Sequence, residues 1–319
     1  MAKNQFRIDV DNYLTATKGN FAESTYKEKR RKLYQYSDII YALHKEGKIK
    51  SSAAKNLTAE DIETYVTFRR SQGIKDSTIC KDLGFLGDLM DYVKNDEMRV
   101  YKAIAGRKKP KSYNGKLDPL PDETIERVYA LARETDSWAV LEGCVAIILG
   151  CAGGCRPQES RVLELSALHH MDPEPHLHIT HVKGENKWGK PRDAPLNDGV
   201  SDIIEKYLVM RQSKLDKLGR MSDAVFPPLT GDKEFVSQQS MSRFKMTVAG
   251  ILGEDFVLKD GRRSYGQRML DREIPIEFVS ICMGHDSVET TQKYYANYRS
   301  KKVLHAVHSQ LSEQSTVSG

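Results

Sequence analysis

The sequence predicts a mostly α-helical protein with a small antiparallel sheet. Along most of the chain, apolar residues recur at the three- and four-residue intervals of one helix face. Two short segments, 176–182 and 192–196, are predicted instead to be strands around a turn that contains Gly184, Asn186 and Gly189. At 319 residues, the chain is long enough for two domains with separate cores.

Residues 1–105 are predicted to form a helical N-terminal domain. One helix begins near Ser24 and carries tyrosine, leucine and isoleucine on its apolar face. Thr58 and Asp61 have the spacing of a capping box, in which two side chains satisfy the first backbone N–H groups of a helix. A further helix is predicted where Asp76 can act as its N-cap.

A basic linker is predicted over residues 106–117. It has no apolar periodicity, contains Gly106 and Pro110, and holds five lysines and arginines. Such a segment is suited to lying along a phosphate backbone, and it is equally suited to being a solvated tether.

Residues 118–298 are predicted to form a second domain. Helices are expected over 121–135 and 138–151, and Pro157 suits the first turn of the next helix, where no backbone N–H is needed. After the two strands the helical pattern resumes. The tail, 299–319, has an amphipathic pattern that predicts a helix for contacts with a neighbouring protomer.

The net charge is unevenly distributed. Residues 1–117 contain 24 Lys and Arg against 15 Asp and Glu, a net charge of +9, whereas residues 118–319 contain 25 against 29, a net charge of −4. A basic domain joined to a near-neutral one is typical of a protein that clamps a polyanion and carries its chemistry elsewhere. Solubilising surface lysine explains the charge equally well.

The composition favours a cytoplasmic protein without a membrane partner. No apolar run approaches the roughly 18–20 residues of a membrane-spanning helix, and the first residues lack the apolar stretch of a signal peptide. Five cysteines without regular spacing suit a reducing compartment. Cys151 and Cys155 are predicted to be packed thiols rather than metal ligands.

Six residues form a set suited to breaking a phosphodiester bond without a metal ion. A phenol with a pKa near 10 is ionised in about one molecule in a thousand at pH 7, a cost of roughly 4 kcal/mol. Arginines match the two non-bridging oxygens of the transition state and stay charged, each contributing on the order of 3 kcal/mol. A lysine can protonate the departing oxygen. The set comprises Arg156, Lys183, Lys259, Arg262, His285 and one of two adjacent tyrosines, Tyr294 or Tyr295.

In order and spacing, this set resembles the catalytic domain of the tyrosine recombinases, which include phage integrases and Xer-type site-specific recombinases. The likeness covers residues 140–296, and residues 5–100 are similar to the helical core-binding domain of that family. The resemblance implies a helical core-binding (SAM-like) DNA-binding domain plus a mixed α+β catalytic domain. The matching segments are Arg156 with Glu159, Val182-Lys183-Gly184, Arg262, and Met283-Gly284-His285 followed by Thr290, Thr291 and Tyr294.

The resemblance also implies an activity and a role for each residue. The family members are site-specific recombinases or integrases that cleave and rejoin DNA through a 3′-phosphotyrosyl intermediate, with no metal, cofactor or ATP. Tyr294 would attack the scissile phosphate, and Lys183 would protonate the leaving 5′-oxygen. Arg156, Arg262 and His285 would stabilise the transition state.

Lys259 departs from the family pattern, which has histidine three residues before the second arginine. Some archaeal integrases resemble this chain in carrying lysine there. A lysine donates a hydrogen bond to a phosphate oxygen, but it accepts a proton only if its pKa is depressed. A phosphate contact and a part in proton transfer are both open to Lys259.

The partners implied by the resemblance are double-stranded DNA, three further copies of the chain and accessory DNA-bending proteins. A homotetramer would assemble on two recombination sites, with each protomer a C-shaped clamp, and the protein would be nucleoid-associated when bound. Two other functions share most of the same residues. One is a type IB topoisomerase-like enzyme that relaxes supercoils, and the other is a catalytically silent DNA-binding homologue.

Several neighbouring residues compete with the assigned ones. Tyr295 follows Tyr294, but adjacent helical residues point about 100° apart, so only one can enter a site. Lys187 and Lys190 share the predicted turn with Lys183. A group of histidines is a rival metal site, because His176 and His178 would share one strand face with acidic residues nearby. That group comprises His169, His170, His176, His178 and His181, with Asp172 and Glu174.

Overall fold

The fold is known from a computed structural model, which describes residues 4–112, 118–182 and 190–294. The chain divides into two compact units, Met1–Gly115 and Lys116–Gly319. The mostly α-helical class with a small antiparallel sheet is confirmed. Within the described ranges, no helix is both long enough and apolar enough to span a bilayer. The predicted tail helix lies outside those ranges.

The described part of the first unit folds into five α-helices around one apolar core. Each helix turns a stripe of leucine, isoleucine, valine or tyrosine inward, as its three- and four-residue spacing predicts. The helices are α1 (Gln5–Ala16), α2 (Glu23–Lys45), α3 (Ala59–Ser71), α4 (Asp76–Tyr92) and α5 (Glu97–Ile104).

Of the two caps predicted in this unit, one is confirmed and one is wrong. The Thr58 hydroxyl accepts from the Asp61 N–H at 3.2 Å, and the Asp61 carboxylate accepts from the Thr58 N–H at 3.0 Å. Asp76 is instead the first residue of α4, and Lys75 occupies the N-cap. The Asp76 carboxylate accepts two 2.9 Å hydrogen bonds from Arg70, a charged fork that outcompetes capping by a neutral N–H.

A buried carboxylate joins three helices of the first unit. Asp82 on α4 is fully buried. It accepts hydrogen bonds from Arg69 of α3 at 3.2 Å and from Lys32 of α2 at 3.1 Å. The Tyr36 hydroxyl donates to the same carboxylate at 2.6 Å. Because an unpaired buried charge is costly, these partners bind the three helices in one arrangement.

The second unit surrounds a central apolar helix, α7 (Trp138–Cys151), whose residues from Leu141 onward are all buried. A helix that is apolar on every side must be covered on every side, and α7 packs against α6, α9, α10 and α11. Its C-terminal end leads directly into the segment that carries Arg156. The remaining helices are α6 (Asp122–Glu134), α8 (Pro157–Arg161), α9 (Ser201–Lys217), α10 (Gln238–Leu252), α11 (Leu258–Asp271), α12 (Ile276–Met283) and α13 (Val288–Tyr294).

A three-stranded antiparallel sheet lies between α8 and α9 in the chain. Its strands are β1 (Leu168–His169), β2 (His176–Ile179) and β3 (Arg192–Pro195), in that spatial order. Both predicted strands are present but shorter than expected. On the inner face, Leu177 and Ala194 are buried against the core, while His178 points outward.

Candidate active site

Arg156 is held at the turn that follows α7. The chain passes through Gly154 at φ 63°, and Arg156 becomes the N-cap of α8 with Pro157 in the first helical position, as predicted. The Arg156 N–H donates to Glu159 Oε2 at 2.8 Å, and its Nη1 donates to Oε1 at 2.7 Å. One carboxylate therefore fixes both the backbone and the guanidinium of Arg156, and 24% of this side chain remains exposed.

Glu159 is the centre of a buried charge network. Its side chain is 1% exposed and pairs with Arg156 and Arg192, while Arg262 Nη1 lies 3.8 Å from Oε2. Burial favours the protonated acid, but the hydrogen bonds and charge of Arg192, with the charges of Arg262 and Arg156, lower the pKa of Glu159 to about 2. Glu159 is therefore a permanent carboxylate that orients arginines, and it is unsuited to accepting a proton during a reaction.

Arg192 is a site residue that the sequence predictions missed. From β3, its Nη1 and Nη2 donate to the two oxygens of Glu159 at 3.2 and 2.7 Å, and its Nε donates to the Cys282 carbonyl at 3.0 Å. The sequence contains a signal for the burial of Arg192. This residue lies two positions before Ala194 and therefore falls on the inward face of the predicted strand. A buried arginine requires a buried acceptor, and Glu159 is that acceptor.

Arg262, on α11, links the turn that follows α7 to the segment after α12. Its Nη1 donates to the Gly154 carbonyl at 2.5 Å, and its Nη2 donates to the Met283 carbonyl. Arg156 Nη2 donates to the adjacent Gly284 carbonyl at 3.1 Å. Two arginines that are 106 residues apart in sequence thus hold consecutive carbonyls of one turn. Arg262 is only 3% exposed.

His285 is neutral and fixed between Arg262 and α13. Arg262 Nη2 lies 3.2 Å from His285 Nε2, and an arginine can only donate, so Nε2 carries the lone pair. The proton is therefore on Nδ1, which donates to the Thr291 hydroxyl at 2.9 Å. Burial, followed by the charges of Arg262, Arg156 and Arg192, lowers the pKa of His285 to about 3.

Gly284 allows this turn to close over Arg192. Its φ of 59° is in the left-handed region, and it ends α12 as a C-cap. A Cβ at this position would lie 2.8 Å from Arg192 Cδ, too close for any side chain without displacement. Glycine is therefore required here both for the backbone conformation and for the approach of the terminal segment to the buried arginine.

The other three predicted site residues are described to different extents. Lys259 lies in the first turn of α11, three residues before Arg262, and its side chain is exposed. Within the described ranges, no hydrogen bond or ion pair engages its amine. Tyr294 is the last residue of α13, and its side chain lies outside the description. Lys183, with its rival Lys187, falls within 183–189 and also lies outside the described residues.

The arrangement suits an anion. Arg156, Arg192 and Arg262 surround a single carboxylate while His285 stays neutral, which leaves an excess of two formal positive charges. Preorganised arginines in a site largely closed to water stabilise developing negative charge strongly. Cys151 and Cys155, as predicted, are buried thiols. Among the described residues, the group that offers three metal-ligand side chains lies on β1 and β2, away from these arginines.

The sequence is similar to a known protein family and to named proteins. Residues 120–301 match the model of the phage integrase family. The tyrosine recombinase XerD of Caulobacter vibrioides is 28% identical over 254 residues, which are 74% of this chain and 76% of that protein. The XerD of Listeria monocytogenes is 23% identical over 298 residues, covering 91% of this chain and 93% of its own.

A solved structure shares the fold. The XerH site-specific recombinase, in a post-cleavage complex with its palindromic difH substrate, superposes with a TM-score of 0.70 at 13% identity. The superposition covers 96% of this chain and 97% of XerH. Because the family match extends over more than half of the residues and includes the whole arginine network, this chain belongs to the phage integrase family, the family of the tyrosine-type site-specific recombinases.

Proposed function

We propose that this tyrosine-type recombinase cleaves and rejoins duplex DNA at specific sites, with Tyr294 as the nucleophile and without a metal ion or ATP. The phenol of Tyr294 gives its proton to a water molecule as its oxygen attacks phosphorus. The bond to the 5′-oxygen breaks, and that oxygen takes a proton from Lys183. The 3′-phosphotyrosyl ester conserves the free energy of the broken phosphodiester. A 5′-hydroxyl can therefore reverse the reaction on the same or another strand.

The observation that carries the proposal is the convergence of three distant segments on one turn. Arg156 and Arg262 bind the consecutive carbonyls of Gly284 and Met283, and His285 follows directly. Nine residues separate His285 from Tyr294, and Thr291, which holds the imidazole, lies three residues before Tyr294 on α13. Positions three apart are neighbours on a helix surface, which supports placing the nucleophile beside this arginine cluster.

The arginines have unequal access to a phosphate. Arg156 is partly exposed and can donate hydrogen bonds directly to a non-bridging oxygen. Arg262 is nearly buried beneath Met283 and His285. Contact with Arg262 therefore requires the Met283–His285 turn to shift, and a phosphate oxygen can drive that shift because its negative charge attracts the guanidinium more strongly than a neutral carbonyl does.

Lys259 is assigned a phosphate contact. Its exposed amine can approach the anion from the first turn of α11, on the side of the helix that also carries Arg262. An exposed lysine can donate a hydrogen bond to a phosphate oxygen, and we assign Lys259 that contact. We assign Lys259 to the lysine variant of the position that is usually histidine in this family.

DNA binding by the first unit completes the proposal. Its region of the sequence carries the whole positive excess of the chain, so we expect binding to weaken steeply as salt concentration rises. Four protomers on two sites satisfy the requirement that strands be exchanged between duplexes. Accessory DNA-bending proteins would help to bring the two sites together in that assembly.

The proposal is tested with a nicked suicide substrate, from which the 5′-hydroxyl fragment escapes after cleavage. We expect a denaturation-resistant protein–DNA adduct with the natural chain and with Tyr295→Phe, the matched control, and none with Tyr294→Phe. An adduct that persists in Tyr294→Phe and disappears in Tyr295→Phe contradicts the assignment. Relaxation of any supercoiled plasmid without strand exchange would favour a topoisomerase, and absence of an adduct with every cognate site would favour a silent DNA-binding protein.

A further inference from the structure

The turn between β1 and β2 brings together three side chains that the arginine network does not use. His169 ends β1, His176 begins β2, and the two are partners across the antiparallel pair. Their rings stack at a centroid distance of 4.5 Å with an interplanar angle of 5°. Asp172, in the turn, accepts from His169 Nδ1 at 3.1 Å. One ligand-type atom from each of the three lies within 4.8 Å of the other two.

The hydrogen bonds leave both imidazoles in a form that can bind a metal ion. The His176 Nδ1 lies 2.8 Å from the Glu174 carbonyl oxygen, and a carbonyl only accepts, so Nδ1 carries the proton. The Nε2 of His176 therefore presents a lone pair to an ion. His169 Nδ1 faces the Asp172 carboxylate at 3.1 Å, so an ion bound by both residues would take the lone pair of Nδ1, with the proton of that ring on Nε2. A backbone carbonyl or carboxylate on the second nitrogen is the usual outer partner of a metal-binding histidine.

We propose that His169, Asp172 and His176 form a binding site for Zn²⁺. Two imidazoles and one carboxylate are ligands that zinc accepts, with water completing a tetrahedron. Zn–N bonds of about 2.0–2.1 Å place neighbouring ligand atoms roughly 3.4 Å apart, so the present separations must close by little more than 1 Å. The side chains of His169 and Asp172 are 38% and 51% exposed, which leaves them room to rotate.

The other histidine pairs of this unit lack a third ligand in reach. His178 pairs with Asp193 at 2.7 Å, and His170 pairs with Glu205 at 3.1 Å. In the described part of the chain, only the group on the β1–β2 turn combines two histidines with a carboxylate at this separation. His178 lies on the same face of β2 as His176, two residues further on. It is therefore a matched control for any effect of losing a histidine from this strand.

The zinc site is separate from the phosphodiester chemistry. In the sheet, His176 pairs with Pro195 and Ile179 pairs with Arg192. Three residues along a strand span about 10 Å, so the ion lies about that far along β2 from the arginine network. A bound ion would brace the β1–β2 turn next to the strands that lead into and out of 183–189. Its loss should lower stability and leave metal-independent cleavage in place.

Zinc binding is tested on the full-length protein after treatment with EDTA and dialysis. Titration with ZnCl₂ against a chromophoric chelator should show one equivalent bound with a micromolar or tighter dissociation constant. His169→Gln and His176→Gln should each weaken binding at least about tenfold, whereas His178→Gln should leave it unchanged. Zinc should also raise the Tm of the natural protein and of His178→Gln, and not that of the other two variants.

Two results would overturn the zinc site. One is the absence of a bound equivalent at micromolar zinc. The other is binding that survives His169→Gln and His176→Gln, or that His178→Gln weakens to the same extent. Formation of the DNA adduct in EDTA is scored separately, so failure of zinc binding does not count against the proposed recombinase.

Discussion

At the scale of single residues, the site depends on Glu159 as much as on the arginines that it orients. Its carboxylate holds Arg156 from one side and Arg192 from the other, with Arg262 within 3.8 Å. A carboxylate whose pKa is lowered to about 2 stays charged throughout the physiological range. Arg192 links that carboxylate to the Cys282 carbonyl, next to the turn that carries His285. Arg192 is therefore a positioning residue, because its buried guanidinium acts through Glu159 and the terminal turn.

Replacing Arg192 should lower both the unfolding free energy and the rate of DNA cleavage, and the two losses can be measured separately. Arg192→Met leaves Glu159 buried with fewer cations and should cost about 3–5 kcal/mol of unfolding free energy. Arg192→Lys keeps the charge but loses the two-pronged geometry, so its unfolding free energy should lie between those of the natural protein and Arg192→Met. Urea denaturation and single-turnover DNA cleavage measure the two effects.

The double variant Arg192→Met with Glu159→Gln is the control for that prediction. With both charges removed, the unfolding free energy should largely recover. Cleavage should stay low because Arg156 has lost the carboxylate that orients it. A double variant that regains full cleavage would contradict the positioning role of Glu159 and Arg192.

Glu142 makes the stability of the second unit depend on pH. It lies on α7, and burial, opposed only by the charge of Lys214, raises its pKa to about 8. The folded state therefore holds a proton that the unfolded state releases above about pH 4.5, so stability falls as pH rises from about 4.5 to 8. Glu142→Gln should remove that slope and stabilise the protein by up to about 5 kcal/mol above pH 8.

Denaturation curves at pH 6 and pH 9 provide the measurement for Glu142. The expected result is a stability gain for Glu142→Gln that is larger at pH 9 than at pH 6. An equal change at both values would mean that Glu142 is not protonated in the folded protein.

At the scale of elements, a hydrogen bond couples α13 to the arginine cluster. Thr291 is fully buried and its hydroxyl accepts from His285 Nδ1, whereas Thr290 is partly exposed and its hydroxyl lies 3.4 Å from that of Ser287. The element that ends at Tyr294 is thereby tied to a histidine held by Arg262. The bond between His285 and Thr291 therefore helps to fix the position of α13 relative to the arginine cluster.

Thr291→Val should impair cleavage more than binding. The substitution preserves shape but leaves the His285 Nδ1–H without its acceptor, a loss of about 1–3 kcal/mol. We expect the cleavage step to be about 5- to 140-fold slower, since each 1.4 kcal/mol corresponds to a factor of ten. Thr290→Val is the matched control and should cleave at the natural rate. Equal rates for both variants would show that the bond to His285 does not position α13.

The sequence predicted elements best where their determinants are local. The capping box of Thr58 and the helix over 138–151 depend on residues within a few positions, and the structure has both. Asp76 was misassigned because its partner, Arg70, belongs to the preceding helix. Arg192 was missed because its partners are 33 and 90 residues away in sequence. Long-range pairing of this kind leaves only a weak trace in a strand pattern.

At the scale of the whole molecule, the chain has two units with separate cores. The first has a buried charge network around Asp82, and its region of the chain is basic. The second holds the arginine cluster and matches the phage integrase family. In the proposed function, the first unit binds the polyanion and the second carries the chemistry.

The proposed mechanism requires that Tyr294 becomes covalently joined to DNA. The most direct measurement is to trap the adduct on a nicked cognate site in EDTA, digest it with protease and sequence the DNA-linked peptide by mass spectrometry. We expect a 3′-phosphate ester on Tyr294. An ester on Tyr295 or on any other residue, or trapping that requires a metal ion, would contradict it.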